Sequence, residues 1–114
     1  MHRILLASTL LVLMTFNGYA EDETRSANYI QSHCKDWQAD KKSAMGGNCV
    51  GIISSTMAMS EAYTAPYRFC PPNNVTLHQA LAVVNQFLAA NPRRWHESFQ
   101  LLAIEALRAV WPCG

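Results

Sequence analysis

Apolar side chains recur along this chain at intervals of one, three and four, the spacing that keeps them on one face of a helix with 3.6 residues per turn. From about Thr24 to Ala39, the residues Tyr29, Ile30, His33, Cys34 and Trp37 share such a face. The polar run Asp40-Lys41-Lys42-Ser43 and the pair Gly46-Gly47 end it. A second helix is expected from Asn48, whose side chain can accept an orphan backbone N–H. Its apolar face is Cys49, Ile52, Ile53, Thr56, Met57 and Tyr63. Pro66 removes a donor and disfavours helical geometry at Ala65, so this helix is expected to run to about there. In Thr76-Leu77-His78-Gln79 the spacing is that of a capping box, with Val75 placed to staple onto Ala80. Leu77, Leu81, Val84 and Leu88 follow as one stripe. Asn91-Pro92 closes this third helix and opens a fourth, with Asn91 as cap and Pro92 at the first helical position. The buried face of the fourth is expected to be Trp95, Phe99, Leu102, Ala106, Leu107 and Val110, before Trp111-Pro112 stops it. Strand signals are nearly absent. The pattern predicts an all-α fold, a small four-helix up-down bundle, because short loops favour antiparallel neighbours.

One apolar run lacks this period. Met1-His2-Arg3 is a short positive start, Ile4 to Phe16 is broken only by Ser8, Thr9 and Thr15, and Asn17-Gly18-Tyr19-Ala20 ends in small residues before Glu21-Asp22-Glu23. That three-part pattern is a cleavable secretory signal peptide. A membrane anchor needs about 20 apolar residues, and this run is shorter. Residues 1–20 are therefore expected to be removed, leaving 21–114 as one domain with a periplasmic address. Loss of Arg3 leaves eight basic residues against eight acidic ones. A neutral chain has no basic field with which to hold a nucleic acid or an anionic membrane.

All four cysteines, Cys34, Cys49, Cys70 and Cys113, fall in the mature part. An even count in a small exported chain reads as a disulfide framework, and no Cys-x-x-Cys pair suggests a metal. In an up-down bundle Cys34 and Cys49 lie at the top, and Cys70 and Cys113 at the bottom. Bridged Cα atoms must lie within about 7 Å. Of the three connectivities that four cysteines allow, only Cys34–Cys49 with Cys70–Cys113 avoids joining opposite ends.

Candidate chemistry is sparse. There is no Gly-x-Ser-x-Gly, no phosphate loop and no His-Glu-x-x-His. The histidines are scattered and the carboxylates do not converge, so neither catalysis nor a cofactor is expected. What remains is surface suited to gripping a protein. Ser60, Glu61, Tyr63, Thr64, Tyr67 and Arg68 crowd the end of the second helix and the next loop, and Tyr, Trp and Arg dominate binding hot spots. Pro66, Pro71, Pro72 and a bridged Cys70 would stiffen this loop, so it would lose little entropy on binding. Phe69 is expected to close the core beneath it. Arg93, Arg94 and Trp95 form a secondary candidate patch at the other end of the bundle.

The order Cys49-x-Gly51-Ile52-Ile53, Phe69-Cys70-x-Pro72, Val75-Thr76-x-x-Gln79, Asn91-Pro92, Ala106-Leu107 and Pro112-Cys113 resembles the Rap/Tai family. These are periplasmic immunity proteins that protect bacteria against type VI secretion amidase effectors. Where members often carry an aromatic residue after the glycine, Ile52 stands here, and the 60–68 stretch is longer than in plain members. The resemblance implies a disulfide-bonded helical homodimer that binds a cognate papain-like peptidoglycan amidase and occludes its cleft. A small periplasmic chaperone or stress protein is the alternative from another class. It would need a titratable cluster to expose apolar surface on demand, and the chain has none.

Overall fold

A computed structural model describes residues 23–114; the expected signal peptide lies outside them. Four α-helices follow a 3₁₀ turn at Glu23–Arg25: α1 (Ala27–Gln38), α2 (Ala44–Ala58), α3 (Leu77–Ala90) and α4 (Phe99–Val110). Among the described residues the only β feature is an isolated bridge between Ser26 and Ser98. The all-α bundle and its two disulfides are as expected, Cys34–Cys49 with Cα atoms 5.5 Å apart and Cys70–Cys113 with 4.9 Å.

The local signals hold where the chain can satisfy itself. Thr76 and Gln79 form the reciprocal capping box, with the Thr76 N–H donating to Gln79 Oε1 at 2.8 Å and the Gln79 N–H to Thr76 Oγ1 at 3.1 Å. At the end of α1, the Lys41 N–H reaches the Asp36 carbonyl and the Asp40 N–H that of Trp37. This double closure needs a left-handed residue, and Asp40 supplies it at φ 62°.

Three boundaries differ from expectation, the first through a local cap and the other two for tertiary reasons. First, α2 starts at Ala44 rather than Asn48, because the Ser43 hydroxyl caps it by accepting the Gly46 N–H at 3.0 Å. Gly46 is there for room rather than flexibility. A Cβ at this position would sit 2.8 Å from Trp37 Cε3 and 3.3 Å from the His33 carbonyl oxygen. The missing side chain lets α1 and α2 approach closely beside the Cys34–Cys49 bridge. Second, α2 ends at Ala58, well before Pro66. Met59–Tyr63 winds through turns instead, and the buried Ser60 gives its carbonyl to the Phe69 N–H. That turn drops Phe69 into the core at 0% exposure. Third, Pro92–Arg94 is a separate 3₁₀ turn, and α4 begins only at Phe99, capped by Ser98. The carbonyls this break sets free, those of Trp95 and Glu97, accept the Asn28 and Ala27 N–H groups at 2.7 and 3.0 Å. Ser26 makes no side-chain cap, so the first two orphan donors of α1 are satisfied by the interruption before α4.

This last contact sets the arrangement of the bundle. α1 and α2 lie antiparallel, Trp37 against Gly46 and Cys34 bridged to Cys49. The long 59–76 connection is not bound by the short-loop rule. It carries the chain so that α4 starts beside the start of α1, where strict alternation would put those starts at opposite ends. The core between the helices is Ile30, Ile53, Phe69, Leu81, Val84, Phe99, Leu102 and Leu107, all at 2% exposure or less. Three stripe residues expected inside are out: Tyr29, Leu77 and Val110 are 43%, 41% and 51% exposed.

Candidate partner-binding surface

The residues nominated from the loop after α2 do not share one environment. Ser60 is buried, and its carbonyl accepts the Phe69 N–H within the turn. Tyr63 is half-buried against the core. Glu61, Thr64, Tyr67 and Arg68 face solvent, and the Tyr67 ring is 47% exposed. The Tyr67 N–H donates to the Thr64 carbonyl at 2.9 Å, which closes a turn and fixes where the ring emerges. At the far side of the loop the Cys70 N–H donates to the Trp111 carbonyl at 2.8 Å, and Cys70 is bridged to Cys113.

Arg94, placed by the 3₁₀ turn, is neither free nor remote from this loop. Its Nε and Nη2 donate to the two oxygens of Glu97 at 2.7 and 3.1 Å. Its Nη1 and Nη2 donate to those of Glu105 at 2.8 and 2.7 Å. The guanidinium also lies 5.9 Å from the centre of the Phe87 ring. A planar fork with its donors spent on two carboxylates ties the 92–94 turn to the middle of α4. Trp95 is half-buried, and its Nε1 donates to the Leu88 carbonyl at 2.8 Å. Arg93 alone of this patch is exposed without a partner of this kind.

The two candidate patches, expected at opposite ends, meet in one groove of about 360 Å³. Pro66 and Tyr67 form one wall, Arg94 and Glu97 another, and Leu101, Ile104, Glu105 and Arg108 of α4 the floor and rim. A second hollow of about 320 Å³ shares Glu105 and Arg108 and continues along α4 to Ala109 and Pro112. Leu101 is 53% exposed while its neighbours Leu102 and Ala103 are buried. With Arg94 spent, Arg108 is the guanidinium on this floor that keeps its donors for a partner among the described residues. Sequence reasoning missed Leu101 and Arg108. The signal was present: Leu101, Glu105 and Arg108 stand at i, i+4 and i+7, a face outside the buried stripe, and a leucine on that face has no core to enter.

The ion-pair knot has a consequence for acid stability. Hydrogen bonds donated by Arg94 hold the Glu97 and Glu105 carboxyls below their ordinary values, and the same bonds, accepted by Glu105 and then by Glu97, raise Arg94. A carboxyl whose folded pKa is depressed contributes stability above its unfolded value, about 4, and loses it as pH falls through the lower folded value. Thermal melts of wild type and Arg94→Met should therefore differ by a constant amount above about pH 5, and the difference should shrink as pH falls below about 4. A difference as large at pH 3 as at pH 7 would mean that the knot adds no pH-linked stability. Both carboxyls are solvent-exposed, so salt should shrink the effect.

Among the described residues no group of three or more His, Cys, Asp or Glu could hold a metal ion, and no helix is long and apolar enough to cross a membrane. No curated protein and no solved structure matches the chain. A family model of Rap1a immunity proteins matches residues 26–113, a span that contains all four helices and all four cysteines.

Proposed function

The chain belongs to the Rap1a immunity protein family, and we propose that it is a periplasmic immunity protein that occludes the active-site cleft of a type VI secreted, papain-like peptidoglycan amidase. An immunity protein binds its cognate effector, and occlusion asks only for affinity, so no residue of this chain has to do chemistry. The observation that carries the surface assignment is the groove where Tyr67, Leu101 and Arg108 stand together. It offers an aromatic ring on a bridged loop and an uncommitted guanidinium, residue types enriched in binding hot spots, beside the exposed aliphatic side chain of Leu101. Glu61, Thr64 and Arg68, exposed on the same loop, are the flanking contacts of this reading.

The periplasmic address is supported by the pattern of residues 1–20 and by two closed disulfides, which persist in oxidising compartments. We propose cleavage after Ala20 and a domain from 21 to 114. The homodimer is supported by the family resemblance and by apolar side chains left outside the groove, Tyr29, Met59, Leu77 and Val110.

Co-expression tests this reading. A papain-like amidase directed to the periplasm should lyse cells, and the full chain should rescue them. A version that starts at Glu21 behind an initiator methionine should remain in the cytoplasm and fail to rescue. Sedimentation of the purified complex should give two copies of this chain. Equal lysis with and without the full chain removes the amidase assignment, rescue by the leaderless version removes the periplasmic one, and a single copy in the complex removes the dimer.

A further inference from the structure

The two disulfides occupy opposite environments. Cys34 and Cys49 are both 0% exposed, sealed between α1 and α2. Cys113 is exposed and Cys70 only half-buried, in a tail where Pro112 and Gly114 are exposed as well. Access of an attacking thiolate to a sulfur governs thiol–disulfide exchange, so one bridge is open to a reductant in the folded state and the other is not.

The accessible bridge is also the covalent tie between the contact loop and the end of α4. From Ser60 onward the loop is held by few non-covalent contacts. The Phe69 N–H donates to the Ser60 carbonyl at 3.4 Å, the Tyr67 N–H to Thr64, and the Cys70 N–H to Trp111, while the Phe69 ring is sunk in the core. Two of those hydrogen bonds belong to residues at or next to the bridge. The bridge joins residues 43 apart, so it ties the loop to a distant segment, whereas the 15-residue link joins neighbouring helices.

We propose that Cys70–Cys113 is a reducible tether: a dithiol reductant opens it in the folded protein, loosens the 60–70 loop, and leaves Cys34–Cys49 and the helical core closed. A thiolate of the reductant attacks Sγ of the exposed residue Cys113. The S–S bond breaks, Cys70 leaves as a thiolate and takes up a proton, and Cys113 is held in a mixed disulfide. The second thiol of the reductant then displaces Cys113. The balance is two protein thiols and one oxidised, cyclised reductant. The regulatory meaning, control of effector binding, rests on the surface assigned under Proposed function; the opening of the bridge does not.

The test uses the mature full chain and dithiothreitol. After each step of a reductant titration, free thiols are trapped by alkylation and mapped by mass spectrometry, and amide hydrogen exchange is followed in parallel. Cys70 and Cys113 should become alkylated at roughly tenfold or more lower reductant than Cys34 and Cys49. In that window the amides of Tyr67, Phe69 and Cys70 should exchange about tenfold faster or more, while those of α1 and α2 keep their protection. Both bridges opening together would overturn the proposal. So would selective opening with unchanged exchange in the loop. A parallel binding arm with the periplasmic amidase should show weaker binding by the selectively reduced chain, and equal binding would overturn the regulatory role. Failure of the oxidised chain to bind that amidase would count against the amidase assignment alone, since alkylation and exchange decide the tether without it.

Discussion

Replacing Tyr67 and Leu101 together by Ala should weaken effector binding by about 3–4 kcal/mol, between roughly 100-fold and 1,000-fold in Kd. Tyr67 is expected to carry the larger share, about 2 kcal/mol or more, because Tyr is a frequent hot-spot residue and Leu an infrequent one. Its ring is held on a loop closed at both ends, so little conformational entropy is lost on binding. Leu101 faces the same groove from the first turn of α4 and is more than half exposed, so its truncation opens no cavity. Neither change touches the buried core, and thermal melts should move by no more than a few degrees. Calorimetric titration against the effector reads the result. Arg93→Ala is the matched control, since Arg93 is exposed and does not line the groove. Arg94 would be a poor control: it stands in the groove wall and braces Glu97 and Glu105. If the double variant binds like wild type while Arg93→Ala does not, the contact surface lies elsewhere on the molecule.

Phe69→Ala should cost about 3–5 kcal/mol of folding stability, the range for removing a fully buried aromatic ring. Domains of this size are stable by only about 5–10 kcal/mol, so the variant should sit close to its unfolding threshold at body temperature. Phe69 is 0% exposed and belongs to the same cluster as Ile53, Leu81, Phe99 and Leu107. Unlike Phe99, which sits on a helix that holds itself, Phe69 lies on a loop, and its ring is what pins that loop to the core. The loss should therefore appear twice: as a lower urea midpoint, and as a weaker effector contact beyond what the lower folded fraction explains. The bridge to Cys113 limits the damage by keeping the 60–70 segment near α4. An unfolding free energy from urea titration within about 1 kcal/mol of wild type would mean that the ring is not the loop's anchor.

Much of this architecture was readable before any coordinates. The capping box at Thr76 and Gln79, the stop at Asn91 and the stripe Leu81-Val84-Leu88 all rest on contacts within a few residues. Such signals act over one or two helical turns, and the chain satisfies them wherever it is placed. The pairing of the cysteines, over separations of 15 and 43 residues, was readable because a bridge tolerates only a short distance between its Cα atoms. The surface was less readable. Residue type points to Tyr67 and Arg68, and both emerge on the surface, whereas Ser60 turns inward. Nothing local marks Leu101 and Arg108 as contacts, because an outward-facing position on α4 has meaning only once its neighbour across space is known.

The sequence by itself determined the helical class, the number of helices, the closed termini of α3, the buried seats of Phe69 and Phe99, and which cysteines pair. Tertiary structure alone decided where α2 stops, why α4 begins late, and that the 66–67 loop meets Arg94. In each of these cases a group on one segment completes a valence on another that is distant in the chain. The Ser60 carbonyl takes the Phe69 N–H, the carbonyls of Trp95 and Glu97 take the first N–H groups of α1, and Glu105 takes the Arg94 fork. Local propensity carries no record of such partners, because their free energy is gained only when the segments are brought together.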